Sequence, residues 1–277
     1  MIEDDTKKAE EDEQIAEIEN GDSTTLIRKE APDEGSLGLL PKSLKLMIYG
    51  FDQVESYLKD ALADQLKYIP EERRILPSPV VAGPVVDALR FVVDQPFLRE
   101  LYLNLLTTSM DSKTARRAHP AFVQMLKQMT PDEAKIVGLF RSKSTFPAVS
   151  LSVHDADGKG MVQVLVRHFS LLVYEAHCEF PDLATSYIDN LQRLGLISVD
   201  SSQLFYDYQY DPLLEHPDFK SWINRIETES DASPSIGKAI VEVTQLGKQF
   251  RDACVLSKSE GERGEVDRPR ILSFLDY

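Results

Sequence analysis

Residues 94–140 read DQPFLRELYLNLLTTSMDSKTARRAHPAFVQMLKQMTPDEAKIVGLF, which parses as three helices separated by two short breaks. Asp94 stands where a capping side chain belongs, and Pro96 falls in the first turn, where a missing N–H costs nothing. Leu98, Leu101, Tyr102 and Leu105 share one helical face, with Leu106 beside them. Polar residues 111–117 interrupt that pattern, and Pro120 restarts a helix carrying Phe122, Met125, Leu126 and Met129 on one stripe. Thr130-Pro131-Asp132-Glu133 is a capping box with proline at the first helical position. It opens a third helix with Ala134, Ile136, Val137 and Phe140 facing inward.

Working outward toward the N-terminus, Pro84 is expected to open a helix with Val85, Val86, Leu89, Val92 and Val93 buried. Residues 71–79 read as a linker containing Arg73 and Arg74. A longer helix is expected from Pro41, with Leu44, Met47, Ile48, Phe51, Val54, Leu58, Leu62 and Leu66 at steps of three and four and a weak point at Gly50. Short connections between helices favour antiparallel neighbours.

Toward the C-terminus the period changes. Residues 147–154 are rich in Val, Leu and Ser, residues 161–168 alternate, and the turn Asp155-Ala156-Asp157-Gly158-Lys159-Gly160 lies between them, which predicts a β-hairpin. Residues 171–174 fit either a strand or a helix. A helix from Pro181 carries Leu183, Tyr187, Ile188, Leu191 and Leu194, and Gly195 follows where a left-handed residue ends a helix. Strands are expected at 196–199, 203–208 and 238–244, with a helix bearing Phe219, Trp222, Ile223 and Ile226 between the last two and a polar loop over 227–235. Thr244 is placed to cap a final helix with Leu246, Phe250, Ala253 and Cys254.

These readings predict a mainly α (α+β) protein: a helical array followed by a winged-helix-like module with an inserted β-hairpin. The expected divisions are a disordered acidic tail (1–36), a helical domain (37–142), a winged-helix-like α+β domain (143–256) and a flexible C-terminal tail (257–277), in which Ile271, Leu272, Phe274 and Leu275 could dock.

The formal charge of −15 is uneven. Residues 1–36 hold 13 acidic and 4 basic side chains and no aromatic residue, so they cannot bury enough apolar surface to offset ordering entropy. The remainder, with 33 acidic and 27 basic residues, is only mildly acidic. An acidic surface opposes loose binding to nucleic acid or anionic lipid. Two cysteines, Cys178 and Cys254, are too few for a disulfide scaffold and read as buried free thiols in a reducing compartment. Without a signal-peptide pattern or an apolar run long enough to span a bilayer, a cytoplasmic location is expected. The run LKLMIYGF (44–51) could lie on a membrane surface, but it has few basic residues, and such stripes more often pack into cores.

The segments FLRELYLNLLTTSMD and HPAFVQMLKQMTPDEAKIVGLF, followed by NLQRLGLI and VTQLGKQFRDAC, together resemble the bacterial abortive infection alpha family over residues 40–255. A leucine-rich helix ending in Met-Asp, a His-Pro-x-Phe helix and a Thr-Pro helix start carry the likeness. The resemblance implies a role in phage resistance and brings no catalytic residues or cofactor with it.

The remaining motifs favour structure over chemistry. Asp155-Ala156-Asp157-Gly158 begins like a calcium loop, but Val166 stands at the twelfth position, where a glutamate is needed. Adjacent His177 and Cys178, with Glu175, are poorly spaced for a nucleophile–base pair. The helix from Pro181 offers Asp182, Asp189, Asn190, Gln192 and Arg193, too few cations for a DNA-reading helix. Lys113, Arg116, Arg117 and His119 are the candidate binding residues, because clustered cations beside a helix start can hold a phosphate. The expectation is therefore a non-enzymatic protein, with no cofactor or metal, acting through a protein partner or self-association. A winged-helix regulator that binds nucleic acid is the alternative.

Overall fold

The computed structural model describes residues 60–92, 94–154, 163–202, 205–229 and 233–258, all within the unit Gly35–Tyr277. The acidic tail, the part of the helix expected from Pro41 that precedes residue 60, with its weak point at Gly50, the stretch 44–51, the tip of the hairpin and the apolar C-terminal residues 271–275 lie outside the described residues.

The three central helices form where their apolar stripes predict. They are α2 (Pro96–Ser109), α3 (Pro120–Leu126) and α4 (Pro131–Gly138), preceded by α1 (Pro79–Leu89) and a helical stretch at 60–66. Two starts differ from expectation. The residue before α2 is Gln95, with no side-chain cap, so Asp94 does not close that helix. In α1, Pro79 occupies the first turn and Pro84 lies inside the helix, five residues later than its start. Proline lacks an N–H, so at Pro84 the helix forgoes the bond to the Val80 carbonyl, and Val80 lies on the solvent side. The capping box of α4 is complete: the Thr130 hydroxyl accepts from the Glu133 N–H at 3.2 Å, and the Thr130 N–H donates to Glu133 Oε2 at 2.6 Å.

α2 is the centre of the array. Leu98 and every residue from Leu101 to Ser109 are buried, so polar side chains on this helix must find partners inside the protein. Asn104 does so by donating to the carbonyl of Cys254 at 3.0 Å and accepting from Gln65 Nε2 at 2.7 Å. The Thr108 hydroxyl donates to the carbonyl of Ala253 at 3.0 Å. Those carbonyls belong to a π-helical turn (Arg251–Val255) that continues α9 (Gln245–Phe250). Helix ends leave carbonyls without internal partners, and α2 supplies them.

Four strands form one antiparallel sheet in the order β2-β1-β4-β3, with β1 Thr145–His154, β2 Gln163–Phe169, β3 Ile197–Asp200 and β4 Ser233–Val243. β1 and β4 pair without interruption from Thr145↔Glu242 to His154↔Ser233. The hairpin β1–β2 is irregular between Val149↔Phe169 and Leu151↔Val166, where two residues of β2 oppose one of β1. His168 takes up that extra residue in the left-handed region (φ 54°), which histidine tolerates better than most side chains. The Ser150 hydroxyl accepts its N–H at 3.1 Å.

Alternation along β1 gives the sheet two apolar faces. Phe146 and Ala148 join the large core built by the helical array, α6 (Ala184–Arg193) and α9. Val149 and Leu151 join a second core with Phe169, Tyr210, Leu213, Phe219 and Ile226, the last two on α8 (Pro217–Glu229). The large core runs without a break across the expected boundary at 142/143. Residues 172–175 are a short helix, α5 (Leu172–Glu175), which resolves the open choice there, and α7 (Asp211–Leu214) precedes α8. Two local expectations are corrected. The segment expected as a strand at 203–208 has no strand among its described residues and enters a 3-10 turn, Asp207–Gln209. The expected loop 227–235 is consumed from both sides, because α8 runs to Glu229 and β4 starts at Ser233.

At the end of α6, the Leu196 N–H bonds the Leu191 carbonyl at 3.0 Å and the Gly195 N–H bonds that of Gln192 at 2.9 Å, a Schellman ending with Gly195 at φ 74°. This turn docks on the start of α9. The Thr244 hydroxyl donates to the Gly195 carbonyl at 2.6 Å and accepts from the Gly247 N–H at 2.9 Å. A Cβ on Gly247 would stand 2.1 Å from the Leu196 carbonyl oxygen and 2.8 Å from Val243 Cγ1. Gly247→Ala is therefore expected to destabilise the protein by about 3 kcal/mol, as an overpacked site does. Gly138→Ala, with open space around its Cβ, should be neutral or stabilising by up to about 1 kcal/mol. Urea unfolding of the two variants beside the parent protein checks both.

Candidate functional site

The chemistry-bearing side chains inside the fold gather at two buried aspartates. Asp111, immediately after α2, is fully buried. Its Oδ2 accepts from Arg73 Nη2 at 2.6 Å and Lys258 Nζ at 2.9 Å, and its Oδ1 accepts from Arg73 Nε at 3.1 Å and the Lys113 N–H at 3.0 Å. The segment expected as a linker delivers Arg73 by pairing with the end of α2. The Ile75 N–H bonds the Met110 carbonyl, and the Ser112 N–H bonds that of Arg73, both at 2.9 Å. Burial alone pushes the Asp111 pKa up, but the bonds from Arg73, Lys258 and Lys113 outweigh it and hold the carboxyl at about 2. Lys258 lies beyond the expected start of the C-terminal tail, yet Asp111 and the Thr114 hydroxyl (2.5 Å) anchor its ammonium.

Around this pair lie the four residues that the sequence singles out. The N–H of Lys113 contributes to the Asp111 site. Arg116 and Arg117 are exposed on a 3-10 turn, Ala115–Arg117, and burial, followed by Arg73 and then Arg117, lowers the pKa of half-buried Lys258. His119 caps α3, its Nδ1 accepting from the Ala121 N–H at 3.1 Å, so the neutral ring carries its proton on Nε2. All four residues therefore fall in one stretch of surface chain beside Asp111. Sequence reading missed Arg73 and Lys258 as its neighbours. The available signal was Asp111 itself, an aspartate ending an apolar helix.

The second carboxylate, Asp132, sits in the first turn of α4. It accepts from Lys135 Nζ (2.7 Å), the N–H groups of Glu179 and Phe180 (2.9 Å each) and the Tyr187 hydroxyl (3.0 Å). Burial again pushes its pKa up, and these donors bring it to about 2. The site holds the turn through His177, which is left-handed at φ 50° and gives its carbonyl to Lys135 at 3.3 Å. Burial first, and then the Asp132 charge, push the Cys178 thiol up to about 11, so it is protonated at neutral pH. On α6, Asn190 donates to Glu133 Oε1 (2.7 Å) and to the Gln128 carbonyl (2.9 Å), and it accepts from Arg193. Asn190 is thus engaged inside the protein, while Asp182, Asp189, Gln192 and Arg193 are exposed.

A third feature went unnoticed in the sequence. Tyr206 and Tyr208 stack with ring centroids 6.0 Å apart and planes 8° from parallel, while 76% and 67% exposed. Between them Asp207 pairs with Lys238 of β4 at 2.7 Å. Tyr210 is fully buried below, donating its hydroxyl to the Ala239 carbonyl at 3.3 Å and accepting from the Phe205 N–H at 3.2 Å. Among the described residues no group of three or more His, Cys, Asp or Glu side chains is placed to hold a metal ion, and no helix is long and apolar enough to cross a membrane.

The profile of the abortive infection alpha family matches residues 50–254. The chain belongs to that family. The four segments that carry the resemblance all lie within the match, and two of them, NLQRLGLI and VTQLGKQFRDAC, touch through Gly195, Thr244 and Gly247. No curated protein matches the chain. Among solved structures, an uncharacterized protein from the marine bacterium Alcanivorax borkumensis SK2 is 18% identical, covering 50% of this chain and 92% of its own, with a TM-score of 0.33.

The two buried aspartates contribute to acid stability. Each has a folded pKa near 2 against an ordinary value of 3.8, so each favours the folded state while ionised. That stabilisation is complete above the unfolded pKa and is lost as pH falls from about 4 toward 2, at about 2 kcal/mol per group. Asp111→Asn should lower stability at neutral pH by about 3–5 kcal/mol, because Arg73 and Lys258 lose their counter-charge, and should flatten the acid limb. Unfolding free energies measured between pH 2 and 7, in the parent and the variant, check both expectations.

Proposed function

We propose that this protein serves in the bacterial cytoplasm as an anti-phage defence factor of the abortive-infection type, working through protein contacts rather than catalysis. Membership of the abortive infection alpha family supports the defence role. The Tyr206–Tyr208 pair carries the contact reading. Exposed large aromatics forgo the gain of burial, and a rigid tyrosine surface recovers it when a partner covers it. Here the rings are held by the Asp207–Lys238 pair and by buried Tyr210. Ile236, 41% exposed, lies two residues before Lys238 on the same side of β4 and extends the apolar surface. The buried carboxylates support the same reading, since their oxygens already hold the fold together and offer no free base.

The partner is another protein or a second copy of this chain. Tyr206→Ser with Tyr208→Ser is expected to abolish protection in a phage plating assay and to remove the partner from pull-downs, or the dimer from sedimentation profiles. Stability should change by less than about 0.5 kcal/mol, because both rings are exposed. Full protection by a stable double variant would remove this surface from the mechanism.

A further inference from the structure

We infer, on the basis of that contact reading, that the Tyr206–Tyr208 surface docks onto the same surface of a second copy of this chain, with Asp207 of each copy pairing with Lys238 of the other. Two copies of an acidic chain repel one another on average, so a contact between them has to fall where charge is locally balanced. Asp207 and Lys238 supply that balance, one carboxylate and one ammonium joined at 2.7 Å between the exposed turn and β4.

Each group on this surface is its own complement. A two-fold axis brings one patch against itself, so residue i meets j while j meets i, and an ion pair beside the axis meets its own reverse. Lys238 is held for that role, with its side chain 28% exposed and its Nζ 5.2 Å from the Tyr210 ring centroid. The Asp207 side chain is 91% exposed although its Oδ1 is bonded to Lys238, so it stays open to a second cation. An ammonium has three donors and a carboxylate two accepting oxygens, so the bond within one copy exhausts neither. A phenol hydroxyl both donates and accepts, which lets tyrosine meet tyrosine. Tyr206 and Tyr208 present theirs on parallel rings, 8° apart in plane and 76% and 67% exposed. Ile236, 41% exposed on the same side of β4 as Lys238, adds apolar area that the second copy covers. A partner whose charges are all of one sign would instead be attracted by only half of the ion pair and repelled by the other half.

Sedimentation of the full chain over about 1–200 µM tests this, a range suited to a contact at the small end of stable interfaces. The expected result is a reversible monomer–dimer equilibrium. Asp207→Lys and Lys238→Asp should each weaken dimerisation about tenfold or more, because each sets like charges against each other across the axis. An equimolar mixture of the two variants should recover the dimer, since one then offers two cations and the other two anions. Tyr206→Ser with Tyr208→Ser should lose the dimer and keep the melting temperature of the parent, which separates lost contact from lost fold. A parent protein that stays monomeric across the range overturns the inference. So does a dimer that survives the tyrosine substitutions, or a mixture of the two folded charge variants that stays monomeric. If the parent is monomeric and the tyrosine substitutions still abolish phage protection, the contact reading stands with a different protein as partner, so the two readings fail separately.

Discussion

The fold depends on α2 being buried on every side while carrying polar residues. Asn104, Thr107, Thr108 and Ser109 are all buried, and a buried amide or hydroxyl without a partner costs about 1–3 kcal/mol. Thr107 and Ser109 bond back to carbonyls of their own helix, at Leu103 and Leu106. Asn104 and Thr108 reach outward to the terminal carbonyls of the π turn after α9, and Asn104 also takes the amide of Gln65. Arg141 donates to the Val255 carbonyl at 3.0 Å from another direction. One stretch of helix thereby specifies where an earlier and a much later segment must sit, with a directional constraint that apolar packing alone does not supply.

The two buried aspartates extend this logic to the loops. Asp111 fastens the segment before α1 and the end of the described chain, and Asp132 fastens the 177–180 turn and α6 to the start of α4. In each case burial by itself would favour the neutral acid, and the number and proximity of the donors reverse that preference. Groups so fully engaged are poor candidates for proton transfer. The protonated thiol of Cys178 and the fully buried thiol of Cys254 are likewise poor nucleophiles. The reactive capacity of these groups is thus absorbed by structure.

Sequence by itself determined whatever depends on a few neighbouring residues. The capping box at Thr130, the Gly195 ending, the Thr244 cap and the alternation at 238–244 were all legible, because each depends on residues within about five positions. The missed start at Asp94 was a near tie between adjacent capping positions, Pro84 was one of two prolines five residues apart, and the described part of 203–208, which has no strand, was a short apolar run without a strong period. Tertiary structure alone decided the rest. Asp111 finds its partners 38 and 147 residues away, and Asn104 reaches a carbonyl 150 residues on. The stacking of Tyr206 on Tyr208 depends on Tyr210 being drawn into the second core below them. Such contacts arise when burial forces polar groups to seek whatever the folded chain brings near, and no local pattern encodes that choice.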